Sequence, residues 1–155
     1  MIVDNKGVLV HIDKQDVVND TIQIPQKATI LSWKLFMDIP IKTITIPQNV
    51  EQVYADAFLA CTTLEEVYFE NPDCIIGVAA FDLCRHLHTI VLPRNVKELP
   101  FYTFRECSAL KEVIIPDSVH TITKEQFTNC KKLKKIWWRG HLYTYEDLKT
   151  YGGFV

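Results

Sequence analysis

The sequence predicts a repeat solenoid in which each 23-residue unit contributes a strand to one face. Three observations predict it. Phe58, Phe81, Phe104 and Phe127 fall 23 residues apart. Cys61, Cys84, Cys107 and Cys130 each follow their Phe by three residues. Between these marks, apolar residues alternate with period two and then meet a proline.

Aligned on Phe and Cys, the unit reads L-x-x-I-x-I-P-x-x-V-x-x-I-x-x-x-x-F-x-x-C. The leucine column is Ile41, Leu64, Leu87, Leu110, Leu133, and the next is Ile44, Val67, Ile90, Val113, Ile136. Then come Ile46, Phe69, Leu92, Ile115 and Trp138. The I-x-I stretch is a strand with one buried face. Pro47, Pro93 and Pro116 end it, because proline has no donor N–H; Glu70 and Arg139 hold that column in the other two units. Val50, Val96 and Val119 follow, broken by Asp73, and then Val53, Ile76, Leu99 and Ile122. The V-x-x-I and F-x-x-C steps return inward every third residue, as a loose or 3₁₀-like turn does. One unit cannot bury its apolar edge alone; stacked units can. An earlier unit departs from the pattern, with Leu35 in the Phe column and Asp38 in the Cys column. Before it, Thr21-Ile22-Gln23-Ile24-Pro25 repeats Thr43-Ile44-Thr45-Ile46-Pro47 at a spacing of 22.

The ends lack the unit. Residues 1–30 read as an N-terminal cap plus an atypical repeat, residues 31–139 as the repeats, and 140–155 as a C-terminal cap. Two apolar runs around Asn5-Lys6-Gly7 predict a hairpin over the first coil. Thr144, then Tyr145–Tyr151, then Gly152-Gly153 predict a capped helix that shields the last coil through Leu142, Leu148 and Tyr151. No linker intervenes, so residues 1–155 form a single domain.

The unit resembles the 23-residue leucine-rich repeat of the BspA-like, or Treponema pallidum, type. The resemblance covers residues 35–139. It implies a right-handed solenoid with a parallel strand layer and an irregular convex side. By analogy it also implies a binding module rather than an enzyme.

Composition narrows the partners. At 48% hydrophobic, the chain holds material for a core. A net charge of −2 argues against a general affinity for nucleic acid or anionic membranes. No run approaches the roughly 18 apolar residues of a membrane span. Met1–Gly7 lacks the pattern of a secretory signal, so the chain as given is expected in the cytoplasm, and a trimmed natural chain would place it at the cell surface. The five cysteines, odd in number, are expected as free thiols. Cys74, off register, is the candidate for an exposed one.

The same geometry that buries I-x-I exposes the residue between. That outward row is Thr45, Tyr68, Val91, Ile114 and Trp137. Such a strip predicts a protein-binding surface, although good strand formers also serve the sheet itself. Charged rows lie beside it: Lys42, Glu65, His88, Lys111, Lys134, and Thr43, Glu66, Thr89, Glu112, Lys135. With Glu70 at one end and Arg139 at the other, the face is polarised and would steer a partner. The segment Lys131–Arg139 suggests nucleic-acid or other polyanion binding as the lesser reading, since only Trp137 of its aromatics faces out. Catalysis has no motif: Cys84-Arg85-His86-Leu87-His88 puts the thiol in the core ladder, and neither a metal nor a cofactor is expected. A housekeeping adaptor and a phage or bacterial effector that blocks a host protein read alike here. The chain is expected as a monomer, or as a weak homo-oligomer through an incompletely capped coil end.

Overall fold

The chain winds into a coil of about six turns, described over residues 1–155 by a computed structural model. Its strands are short: β1 (Ile2–Val3), β2 (Val8–His11), β3 (Ile30–Leu31), β4 (Thr43–Ile46), β5 (Gln52–Val53) and β6 (Glu66–Phe69). There follow β7 (Ile75–Ile76), β8 (Thr89–Val91), β9 (Glu112–Ile115), β10 (Ile122–Thr123), β11 (Lys135–Trp138) and β12 (His141–Tyr143). The helix α1 (Tyr145–Tyr151) and β13 (Gly153–Phe154) complete the chain.

The I-x-I stretches form the front layer. Strands β4, β6 and β8 pair in parallel, as do β9 and β11, each residue opposite its repeat mate. Ile44, Val67, Val113 and Ile136 are buried. Pro47 and Pro116 stand just beyond β4 and β9, as the missing donor requires.

The V-x-x-I step was expected as a turn and is instead a second sheet. Strands β3, β5 and β7 pair in parallel along the side of the coil, with Leu31, Val53 and Ile76 inward. The hairpin β1–β2 forms as expected, but it extends this side sheet through β2 and β3 and leaves the front layer alone. It buries Leu9 and Ile12 over the first coil.

Two register readings change. The first unit is one residue shorter than its successors, so Phe36, not Leu35, stands in the Phe column, and Ile39, not Asp38, in the Cys column. The Phe36 ring stacks on that of Phe58 with centroids 4.2 Å apart, nearly parallel at 3°. The amide of Ile39 donates to Phe36 O as that of Cys61 donates to Phe58 O. In the third unit, Cys74 fills the valine column that Asp73 vacates. Asn71 makes the turn that proline makes elsewhere: its side chain accepts from Asp73 N at 3.0 Å and donates to Val50 O at 2.8 Å. The turn itself has the usual length, Cys74 N to Asn71 O matching Val50 N to Pro47 O, but Glu70 is inserted between β6 and the turn, so the inward position slips from 73 to 74. Cys74 is therefore fully buried rather than exposed.

The five Phe rings stack along the axis with centroid separations of 4.2, 5.0, 6.0 and 5.6 Å. Each pair is worth about 0.5–1.5 kcal/mol beyond the area it buries. Beside the rings runs the thiol ladder. Cys84, Cys107 and Cys130 donate to the carbonyls of Phe58, Phe81 and Phe104 at 3.1, 3.2 and 2.9 Å. Four units also place two non-glycine residues in the left-handed region, in the columns Lys34, Asp56, Ala79, Tyr102 and Asp38, Ala60, Leu83, Glu106; the last unit places only Asn129 there.

At the C-terminal end, Thr144 caps α1, accepting from Asp147 N at 3.2 Å, and Gly152 ends it at φ +78°. Only Leu148 of the expected shield is buried; Leu142 is 48% and Tyr151 69% exposed. Tyr143, Tyr145 and Phe154 cover the last coil in their place. The physical reason is that β12 and β13 fold back as strands, β12 antiparallel to β11 and β13 antiparallel to β10.

Two predictions follow from the faces and the strain. Phe81→Ala should lower stability by about 3–5 kcal/mol, a core cavity, whereas Val91→Ala, half exposed, should cost under about 1 kcal/mol. Equal losses in urea unfolding would break the assignment of faces. Ala60→Gly, at φ +54°, should leave stability unchanged or raise it by up to about 1 kcal/mol, while Ala80→Gly, outside that region, should lower it by about 1 kcal/mol.

Candidate functional site

The outward row of the front layer is continuous within each half-sheet. Thr45 lies opposite Tyr68, and Tyr68 opposite Val91. Ile114 lies opposite Trp137. The row then gains Leu142 of β12, opposite Trp137 in antiparallel register. Val91 is 50%, Ile114 67% and Trp137 38% exposed, so these apolar side chains face solvent while their neighbours on both sides are core. Leu142 was missed because residues 140–155 read as a helical cap. The signal was there: Ile136-Trp137-Trp138 and His141-Leu142-Tyr143 flank Arg139-Gly140, and both of those turn residues take positive φ, as a two-residue hairpin loop needs.

The polar rows are tied together within the sheet. Tyr68 donates its hydroxyl to Glu66 at 3.0 Å, and this bond pushes the phenol above its ordinary pKa. Trp137 Nε1 donates to Glu112 Oε1 at 2.6 Å, and Lys135 Nζ lies 3.6 Å from Glu112 Oε2. Glu65 stands 3.7 Å from His88, and Lys42 2.9 Å from Asp20. The hydrogen bond to Asp20 raises the Lys42 ammonium. Lys111 and Lys134 make no ion pair. Exposed pairs of this kind are worth about 0–1 kcal/mol, so an incoming partner can displace them.

Arg139 does not join the strip. Its guanidinium lies 4.4 Å over the inward-facing Trp138 ring and donates to Val119 O at 3.2 Å, while its amide donates to Asp117 Oδ1 at 3.2 Å. The hairpin turn carries it off the face. Of the basic segment, Leu133, Ile136 and Trp138 are buried and Lys131, Lys132, Lys134 and Lys135 exposed.

The thiol–imidazole cluster is dispersed. The Cys84 thiol is buried against Phe58 O, whereas the exposed His86 ring bonds to Thr62 O and His88 turns to the front layer. No three His, Cys, Asp or Glu side chains converge as metal ligands. Burial raises every thiol: Cys61, Cys74 and Cys130 to about 12, and Cys84 and Cys107 well above their usual range. One ion pair escaped sequence reading. Asp82 is 1% exposed and accepts both Nε, at 2.9 Å, and Nη2 of Arg105, its repeat mate one coil on.

The thiols make a test. At pH 8 a thiol reagent should find none of the five in the folded chain and all five after unfolding; one prompt reaction would contradict the burial of Cys74. Because these thiols titrate near 9.0 unfolded and near 12 folded, their stabilising effect is complete below pH 9 and is lost as pH climbs from about 9 to 12. Urea midpoints across that window should fall.

No match is found among curated proteins. Among solved structures, similar chains include a leucine rich cell surface protein from Faecalibacterium prausnitzii A2-165, with 23% identity and a TM-score of 0.70 over 88% of this chain. A leucine-rich repeat protein from Eubacterium ventriosum aligns with 22% identity and a TM-score of 0.72 over 86% of the chain, and one from T. pallidum with 24% and 0.69 over 75%. This chain spans 40%, 36% and 57% of their respective lengths. These likenesses concern the fold. The model of the BspA type leucine rich repeat region matches six copies, over residues 18–75 and 64–148. The chain therefore belongs to the BspA-type leucine-rich repeat family, whose members are in general protein-interaction modules and typically non-catalytic.

Proposed function

We propose that this chain binds a partner protein through its front layer, with Tyr68, Val91, Ile114, Trp137 and Leu142 as the contact row. The observation that carries the reading is the register: apolar and aromatic side chains stand opposite one another across both half-sheets, with Val91, Ile114, Trp137 and Leu142 exposed and Tyr68 half-buried. Rows of this kind mark interaction sites, and aromatic members such as Tyr68 and Trp137 dominate their energetics. Glu65 and Glu66 at one end, and Lys111 and Lys134 at the other, orient the partner. What favours a protein over a polyanion is that only one aromatic of the basic segment, Trp137, faces out, and that its indole and Lys135 are both engaged by Glu112. Five buried free thiols support a reducing compartment such as the cytoplasm.

The test is affinity capture from the native host, repeated with two variants. Tyr68→Ala plus Trp137→Ala should abolish capture of a specific partner, a loss of at least about ten-fold, while Lys134→Glu plus Lys135→Glu should retain most of it. The reverse pattern, with binding that falls steeply as salt rises, would establish the polyanion reading instead.

A further inference from the structure

The coil formed by residues 87–109 is bonded to its neighbours differently from the others. Along the front, each carbonyl at the strand entry normally accepts two amides from the next coil. Lys42 O accepts from Glu65 and Glu66 at 2.7 and 3.0 Å, Glu65 O from His88 and Thr89 at 3.0 and 3.2 Å, and Lys111 O from Lys134 and Lys135 at 2.9 and 3.3 Å. His88 O accepts none. Strands β8 and β9 accordingly form no ladder, and the front layer divides between Val91 and Ile114. At the strand exit this boundary gains no compensating bond: Pro116 has no N–H to offer Leu92, as Pro93 has none to offer Phe69, whereas Glu70 donates to Ile46 O at 2.9 Å. A groove lined by Val91, Leu92, Arg94, Ile114, Pro116 and Asp117 lies along the gap.

The same coil is also released on its other flank. Tyr54 and Gly77 donate to Leu31 O and Val53 O at 2.9 and 2.8 Å, which continues the side sheet. Pro100 occupies the next place in that series and cannot donate, and the side sheet stops at β7. The ring spacing across this flank, Phe81 to Phe104, is the widest of the stack at 6.0 Å.

The back of the coil stays fastened. Tyr102, Phe104 and Glu106 donate to the carbonyls of Glu125, Gln126 and Thr128 at 3.2, 2.9 and 2.8 Å. Gln126 Nε2 adds a bond of 2.6 Å to Leu99 O. An open line in front of a bonded line behind is the geometry of a hinge.

We propose that residues 87–109 are an articulation, about which the row Thr45–Tyr68–Val91 and the row Ile114–Trp137–Leu142 change their mutual angle. The hinge rests on the bonding pattern alone. Its use, fitting the two half-rows to the contours of one partner, rests on the front-face reading. The partner never enters the test, so the two stand or fall separately.

Asp20, Lys42, Glu65, His88 and Lys111 occupy one row, one coil apart. Nitroxides at Glu65→Cys and Lys111→Cys span both boundaries of this coil; those at Asp20→Cys and Glu65→Cys span two boundaries bonded at the front and along the side sheet. The buried native thiols stay unlabelled in the folded protein. Electron–electron double resonance on the free protein should give a distance distribution at least about twice as wide for the first pair as for the second. Equal widths would overturn the hinge, since the boundaries spanned by the two pairs would then be equally stiff.

Discussion

Each full coil of this protein lays a phenylalanine ring almost flat on the ring before it. Interplanar angles stay within 19° from Phe36 to Phe127. The rise between coils is that of paired β-strands, roughly 4.7–4.9 Å, and the ring separations of 4.2–6.0 Å scatter about it. At that rise, amides of one coil meet carbonyls of the last. The outward row exists because the inward columns are locked to this spacing. A residue becomes surface or core by its place in the unit, not by its own polarity: Trp137 and Trp138 are chemically identical and lie on opposite faces.

Much of this was legible in the residues. The Phe and Cys columns, the alternation of I-x-I and the helix between Thr144 and Gly152 all correspond to packed structure. What misled was indels. A fixed 23-residue ruler put Leu35 where Phe36 lies, because the first unit is one residue shorter. It also put Asp73 where Cys74 lies, because one extra residue, Glu70, stands between the strand and the Asn71 turn. Period-two alternation cannot declare a two-residue strand, so the side sheet of β3, β5 and β7 read as turns.

The candidate site was legible in its row and not in its borders. Thr45, Tyr68, Val91, Ile114 and Trp137 follow from register alone. Leu142 and Arg139 depend on the hairpin turn between them, which adds one residue to the face and withdraws another. The charged rows were legible by position, but their pairing was not. That Glu112 is shared between Lys135 and Trp137, and Glu66 bound by Tyr68, depends on rotamers that no spacing rule encodes.

The left-handed columns have a consequence for how the chain assembles. In most turns glycine meets a positive φ without penalty, but here Ala60, Leu83, Glu106 and Tyr102 do so, at about 1–2 kcal/mol each. A single coil standing alone would relax out of that conformation. Only the bonds from the next coil, such as Glu106 N to Thr128 O, hold it in place. In the language of a one-dimensional chain of spins, each unit is intrinsically unfavourable and each interface strongly favourable. Such a chain tolerates few partly ordered states. Its order therefore spreads from a nucleus of several contiguous coils, and damage at one coil is felt by its neighbours.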